Sequence, residues 1–584
     1  MRRLNLREAY DWQKKMVVGS NLKSSVDKSR LFLLKVMFLC VLVVMAVRLV
    51  KLQVVEGAVY RQRSDNNRIY ERRVVAPRGV IKDRNGQALV VNQPVYKLLA
   101  NDRGKLLSEL TPISREEALK LDASGSNGVV YDIGRYYPQG AVFAHLVGYV
   151  GLADESDVAS GDYVLDDWVG REGVEKQYQD SLAGVVGSEL IEVNASGEVI
   201  RRVGEVSPKS GANLIVYADA GLQQVLFDQM AGRPGVAVAT DPRTGEVLAL
   251  VSTPAFDPNL FSSQRPEDKR AKAEKLPTIL TDEAKPLLNR AVSGAYPPGS
   301  IFKVVPAVGG LETKTVTKAT TVEDTGEIKV DEYSYKNWYF TQYGGTEGLV
   351  DIVKALKRSN DIYFYKLGEW LGPTELAHWA GEFGLGNVTG VDLPGEVSGL
   401  VPTPVWKEKT KGERWFLGNT YHFAIGQGDL LATPLQLNQM MGVIASGGRW
   451  CKPKVVKSVG SDEVGENVSC RQLSISEETL SSVRQGLVQA CEVGGTGLPF
   501  FDFDLGRFGG QYSGERSRVA CKTGTAQFFD LEDKTHAWFS VFAPAVEPEI
   551  QLTVLLEGAG EGSVEAAPVA RAALEYWFGG KVGE

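Results

Sequence analysis

Residues 31–50 read LFLLKVMFLCVLVVMAVRLV, about the ~20 apolar residues that a helix needs to cross a bilayer core. Lys35 and Arg48 lie toward its two ends, where long basic side chains can reach the headgroups. The flank MAVRLVKLQ has no small-x-small site for a signal peptidase, so the segment reads as an uncleaved anchor rather than a removed leader. Charge decides its orientation weakly, because Lys14, Lys15, Lys23, Lys28 and Arg30 before the span are matched by Arg48, Lys51, Arg61, Arg63 and Arg68 after it. A long domain translocates largely regardless of its charge, so the bulk can lie outside, and the chemistry below needs it there.

At 584 residues the chain is long enough for two or three domains. Residues 1–30 carry eight Lys/Arg against three Asp/Glu, a net +5, which leaves −12 for the rest of a chain whose formal charge is −7. That acidic bulk argues against a nucleic-acid partner. The five cysteines form no CxxC pair and the four histidines (His145, His378, His422, His536) no HExxH, which argues against a zinc enzyme.

After the anchor, residues 51–205 are rich in short strand-like runs with turn signals such as Asn85-Gly86 between β-branched stretches. They read as a β-rich pedestal. Pro, Ser and Gly cluster at residues 206–213, and the catalytic part is expected from there to residue 584. Within it, residues 235–252 read as two strands joined by a turn over residues 242–245. Helical patterns follow around residues 301–312, 351–370 and 475–492, and a strand pair is expected near residues 519–527 and 536–543. Strands at both ends with helices between predict an α/β domain whose terminal segments share one antiparallel sheet.

The chemistry is concentrated in three short motifs. In AYPPGSIFK, Pro297, Pro298 and Gly299 form a stiff turn, and a helix is expected to start at Ser300. Residues three apart on it share a face, so the Ser300 hydroxyl and the Lys303 amine can meet. A serine is a weak nucleophile until a base lies beside it, and burial near a helix N-terminus pushes a lysine toward its neutral form. SxxK is unspecific by itself: SNLK at Ser20 and SVDK at Ser25 share it. SND at residues 359–361 and KTGT at residues 522–525 then follow in order. In the last, Lys522 would face a cleft, Gly524 would admit a close backbone, and the Thr523 and Thr525 hydroxyls could bind a carboxylate. Edge strands also carry lysine to block aggregation, so KTGT needs the other two motifs beside it.

Together the three motifs resemble the active site of penicillin-binding proteins and serine β-lactamases. Blocks at residues 76–89, 137–151, 170–187, 241–261 and 425–437 are similar, in the same order, to the class B penicillin-binding proteins. Residues 406–420 are most similar to the elongation-specific, type 2 branch. The resemblance implies a penicillin-binding, β-lactamase-like transpeptidase fold, an antiparallel sheet with helices, behind an elongated pedestal and one transmembrane helix. It implies a D-Ala-D-Ala transpeptidase that cross-links peptidoglycan stem peptides and is acylated by β-lactams. Ser300 would be the nucleophile, Lys303 the base and Ser359 the proton relay. Backbone N–H groups of Ser300 and Thr525 would form the oxyanion hole, and Lys522, Thr523, Gly524 and Thr525 the carboxylate cradle. It further implies no cofactor, a SEDS-type glycan polymerase as partner, and a single-pass place in the bacterial cytoplasmic membrane.

Other readings stay open. A carboxypeptidase or β-lactamase-like hydrolase would share the motifs, although a β-lactamase's additional deacylating carboxylate is not identifiable. A catalytically weak scaffold or β-lactam sensor is kept in view by Asp361, which stands where the family usually has asparagine. An ionised Asp361 beside Lys303 would favour the ammonium form. Some relatives place a metal between the first two motifs, but residues 304–358 lack His and Cys, so none is expected, and Asp324, Asp331 and Glu332 read as solvated loop charges. Cys521 reads by default as a buried inert thiol. If oxidised, Cys451, Cys470, Cys491 and Cys521 permit three connectivities, with 451–470 and 491–521 taken as the working pair. His536 reads as structural.

Overall fold

The computed structural model describes residues 28–99, 110–125, 129–161, 163–165, 167–193, 199–464, 469–527 and 534–580. The basic tail up to residue 27, with the decoy serines Ser20 and Ser25, lies outside them. Two compact units emerge. Of the described residues, the first comprises 28–73, 188–193 and 199–206. Its Lys28–Val50 helix runs on through a π turn, Lys51–Val55, and this is one helix long and apolar enough to cross a membrane. Strands Ile69–Val74, Gly187–Val193 and Val199–Val206 follow as one sheet. Buried Glu189 pairs with Arg72 and Arg202, and buried Glu192 with Arg68 and Arg201, so each buried carboxylate of the sheet is held by two arginines.

The second unit comprises the described residues within 74–99, 110–187 and 207–580. The turn signal at Asn85-Gly86 forms a hairpin turn, with Gly86 at φ 88° between strands Ile81–Lys82 and Ala88–Leu99. Arg78 and Arg135 both bind the fully buried Glu175, each at 2.7 Å.

At the centre of the unit is a five-stranded antiparallel sheet: β1 Gly235–Thr240, β2 Val247–Thr253, β3 Ala520–Gln527, β4 Thr535–Ala543 and β5 Ile550–Leu556. Their order is β2-β1-β5-β4-β3, so the two ends of the domain do share one sheet. β5 was not expected. Its sequence IQLTVLL alternates apolar and polar over residues 550–554, the period-2 signal of a strand, and it is buried throughout. Side chains alternate across the sheet: Ala537, Phe539 and Val541 enter one core, Trp538 and Phe542 the other. The first core is completed by helices Ala220–Met230 and Ala566–Gly579. The second is a helical layer that includes α1 Val304–Glu312, α2 Ile352–Arg358, α3 Asp361–Glu382 and α4 Glu477–Ala490.

The pattern over residues 351–370 is therefore two helices. The break falls at Ser359, whose φ of 53° is left-handed, and Asn360 begins the next helix by accepting a hydrogen bond from Tyr363 N at 2.9 Å. Both disulfides, Cys451–Cys470 and Cys491–Cys521, are formed as paired above, and the second joins the end of α4 to β3.

Candidate active site

Ser300 sits one residue into a 3-10 turn, Gly299–Lys303, that leads directly into α1. Helix thus begins one residue before the expected start. Residues i and i+3 eclipse in a 3-10 turn, so Ser300 and Lys303 share one side. Pro306 falls in the first turn of α1, where the ring is tolerated. Gly299 has a φ of 54°, and a Cβ there would lie 2.8 Å from the carbonyl of Thr525. Its N–H donates to Gly426 O at 2.9 Å, so the Ser300 turn is clamped between β3 and the loop that follows residue 425. Ile301 and Phe302 are buried beneath it. Ser300 itself is half-buried.

Two lysines converge on the middle motif. Lys303 Nζ donates to Ser359 O at 2.7 Å, Ser359 Oγ at 3.3 Å and Asp361 Oδ1 at 2.6 Å. Lys522 Nζ donates to Ser359 Oγ at 2.8 Å and Thr523 O at 2.9 Å. Both lysines are 0% exposed. Ser359 Oγ therefore accepts from both amines, which leaves its own O–H to donate elsewhere.

The charge balance follows from this geometry. Burial lowers Lys303 below its ordinary value near 10.5, and the adjacent Asp361 offsets only part of the fall. Lys522 falls well below the same value, first through burial and then through the charge of Lys303. One contacting carboxylate faces two amines. Asp361 can balance one ammonium, and the cheaper state leaves the other amine neutral.

KTGT lies on an edge strand, yet Lys522 points inward rather than guarding the edge. Thr525 is exposed, while Thr523 is half-buried and its Oγ1 lies 2.8 Å from Thr496 Oγ1. At Gly524 a Cβ would lie 3.0 Å from Trp538 Cβ and 3.1 Å from Ile301 Cγ1, so the glycine is also needed to seat the Ser300 turn. Thr496 in VGGTG and Gln427, whose amide donates to Thr525 O at 3.3 Å, were missed. A Gly-Gly-Thr-Gly loop before KTGT was the available signal for Thr496.

Asp324 corrects an expectation. It is 3% exposed and accepts from Gly326 N, Asn337 Nδ2, Asn360 Nδ2 and Glu347 N, whereas Asp331 and Glu332 are exposed as expected. Among the described residues no group of three or more His, Cys, Asp or Glu could hold a metal. His536 pairs across from Ala526 and packs edge-on to Tyr296, at 5.4 Å between ring centres.

Two family descriptions match the chain: Penicillin binding protein transpeptidase domain over residues 235–575, and Penicillin-binding Protein dimerisation domain over residues 120–216. The chain is similar to the peptidoglycan D,D-transpeptidase MrdA of Acinetobacter baumannii, with 32% identity covering 95% of this chain and 88% of that protein. Its identity to the Escherichia coli MrdA is 30%, covering 89% of each. Among solved structures, Pseudomonas aeruginosa PBP2 in complex with WCK 5153 matches with a TM-score of 0.69 and 31% identity, over 87% of this chain and 96% of that one. A chain of a peptidoglycan synthase complex, described as coordinating polymerization and crosslinking, matches with a TM-score of 0.72 and 29% identity, over 94% and 98%.

Proposed function

The chain belongs to the penicillin-binding protein transpeptidases, and from that premise we propose the part each group plays in its site. It is a peptidoglycan D,D-transpeptidase. Ser300 Oγ attacks the carbonyl carbon of the penultimate D-alanine of a stem peptide, and the hydroxyl proton passes to Lys303 Nζ. The N–H groups of Ser300 and Thr525 hold the oxyanion. The C–N bond then breaks, and D-alanine leaves with a proton delivered through Ser359 Oγ. An amine of a neighbouring stem peptide attacks the Ser300 ester, and the new amide is the cross-link. Lys522, Thr523 and Thr525 hold the substrate's terminal carboxylate beside Gly524, and β-lactams acylate Ser300 in its place.

The observation that carries this reading is the Ser359 hydroxyl held at 3.3 Å and 2.8 Å by two buried amines, of which Lys303 contacts Asp361. A lowered Lys303 supports an active base over a silent scaffold. We assign the reaction to cell-wall elongation, with residues 51–205 as a pedestal and residues 206–584 as the catalytic part. The helix through residues 31–50 anchors the chain in the cytoplasmic membrane, with the bulk outside. The likeness to a chain of a peptidoglycan synthase complex supports a SEDS-type polymerase as partner, met through anchor and pedestal.

The test is the full chain in detergent with a D-Ala-D-Ala peptide and an amine acceptor. Wild type should release D-alanine and form the transfer product, and Ser300→Ala should do neither. Release without transfer would favour the carboxypeptidase.

A further inference from the structure

Asp324 is a buried carboxylate that touches neither Ser300 nor either lysine, and the steps above do not use it. Three donors converge on its Oδ2: Asn337 Nδ2 at 2.8 Å, Asn360 Nδ2 at 2.9 Å and Glu347 N at 3.1 Å. Gly326 N donates to Oδ1 at 2.8 Å, and the side chain makes no ion pair among the described residues. Four N–H donors on two oxygens suit a carboxylate. A carboxamide would turn an NH2 against at least one of them.

Asn337 and Asn360 are both fully buried, and both act on the middle motif. Asn337 Oδ1 accepts from Asp361 N at 3.1 Å, and the next residue, Trp338, donates its N–H to Asp361 Oδ2 at 2.9 Å. Asp361 Oδ1 is thereby presented to Lys303 at 2.6 Å. Asn360 caps α3 directly after Ser359. One carboxylate thus fixes both residues that hold the Lys303 partner and the Ser359 bend.

We propose that Asp324 is a positioning residue for the acylation step, acting through Asn337 and Asn360 to hold Asp361 and Ser359 on the two lysines. The proposal rests on the reading of Ser300, Lys303 and Ser359 given above. The groups that face Asp361 are Lys303, Lys522 and Tyr365, with Glu347, paired to Arg358, behind Asn360.

The test uses the full chain as wild type, Asp324→Asn, Asn337→Leu and Ser300→Ala. The rate constant of acylation by a fluorescent penicillin is measured per titrated active site from pH 5 to 10, with the thermal midpoint beside it. Expected for Asp324→Asn and Asn337→Leu is a fall in the per-site rate constant of roughly tenfold to a hundredfold, with a displaced pH midpoint. Per-site rate constants and pH midpoints equal to wild type in both would overturn the proposal, however much the thermal midpoint falls. Absence of folded protein in both would overturn it too, since Asp324 would then serve stability. Labelling of Ser300→Ala would instead overturn the underlying reading, and the proposal with it.

Discussion

Asp361→Asn removes one charge from a buried contact of 2.6 Å and leaves the side chain nearly the same size. An opposite charge at such a distance favours the ammonium, so its loss should lower Lys303 further. Asp361 also raises Lys522, so both amines move the same way. Lys303 must be neutral to take the Ser300 proton, and an amine is neutral above its pKa. The acid limb of the acylation profile should therefore move to lower pH by about 1–3 units. The plateau should fall as well, because an amide cannot accept from both Lys303 and Trp338 N. The assay is the second-order rate constant for a fluorescent penicillin between pH 5 and 10. An acid limb that stays in place, or that moves to higher pH, would refute the assignment of Lys303 as base.

Thr496→Val removes the hydroxyl that meets Thr523 Oγ1 at 2.8 Å, and should raise KM for a D-Ala-D-Ala peptide by about tenfold or less with a smaller change in kcat. Steady-state kinetics decide it, and an equal loss confined to kcat would count against a carboxylate cradle. His145 is held neutral, lowered to about 4 from 6.5 by burial, with its Nε2 at 2.9 Å from Pro286 O. A lowered value means stability is complete above pH 6.5 and is lost as pH falls toward 4, by about 3 kcal/mol. Chemical denaturation across that window should be flatter in His145→Gln. Replacing Cys491 and Cys521 together by alanine opens a loop closed across 30 residues and should cost about 3–4 kcal/mol, read from denaturation midpoints.

What the sequence made legible was contiguous. SIFK, SND and KTGT each carry their chemistry within four residues, and the two expected strand pairs lie in one sheet, joined by β5 between them. Residues that act from a distance were not legible. Asp324 looked like loop charge because its four donors come from residues 326, 337, 347 and 360, three of them more than ten positions away. The break at Ser359 was hidden by helical patterns on both sides, and nothing local announces a left-handed serine. That Asp361 faces more than one amine was not legible either: it touches Lys303, while Lys522, brought to Ser359 only by the fold, is the amine pushed further down.

In the mechanism proposed, Ser300 alone among the chain's serines forms the acyl-enzyme. Intact-mass spectrometry of the full chain treated with benzylpenicillin, followed by peptide mapping, tests it most directly. One penicilloyl adduct per chain is expected, on the peptide containing Ser300, and none on Ser300→Ala. An adduct on Ser359 or on any other residue, or one that persists in the alanine variant, would contradict it.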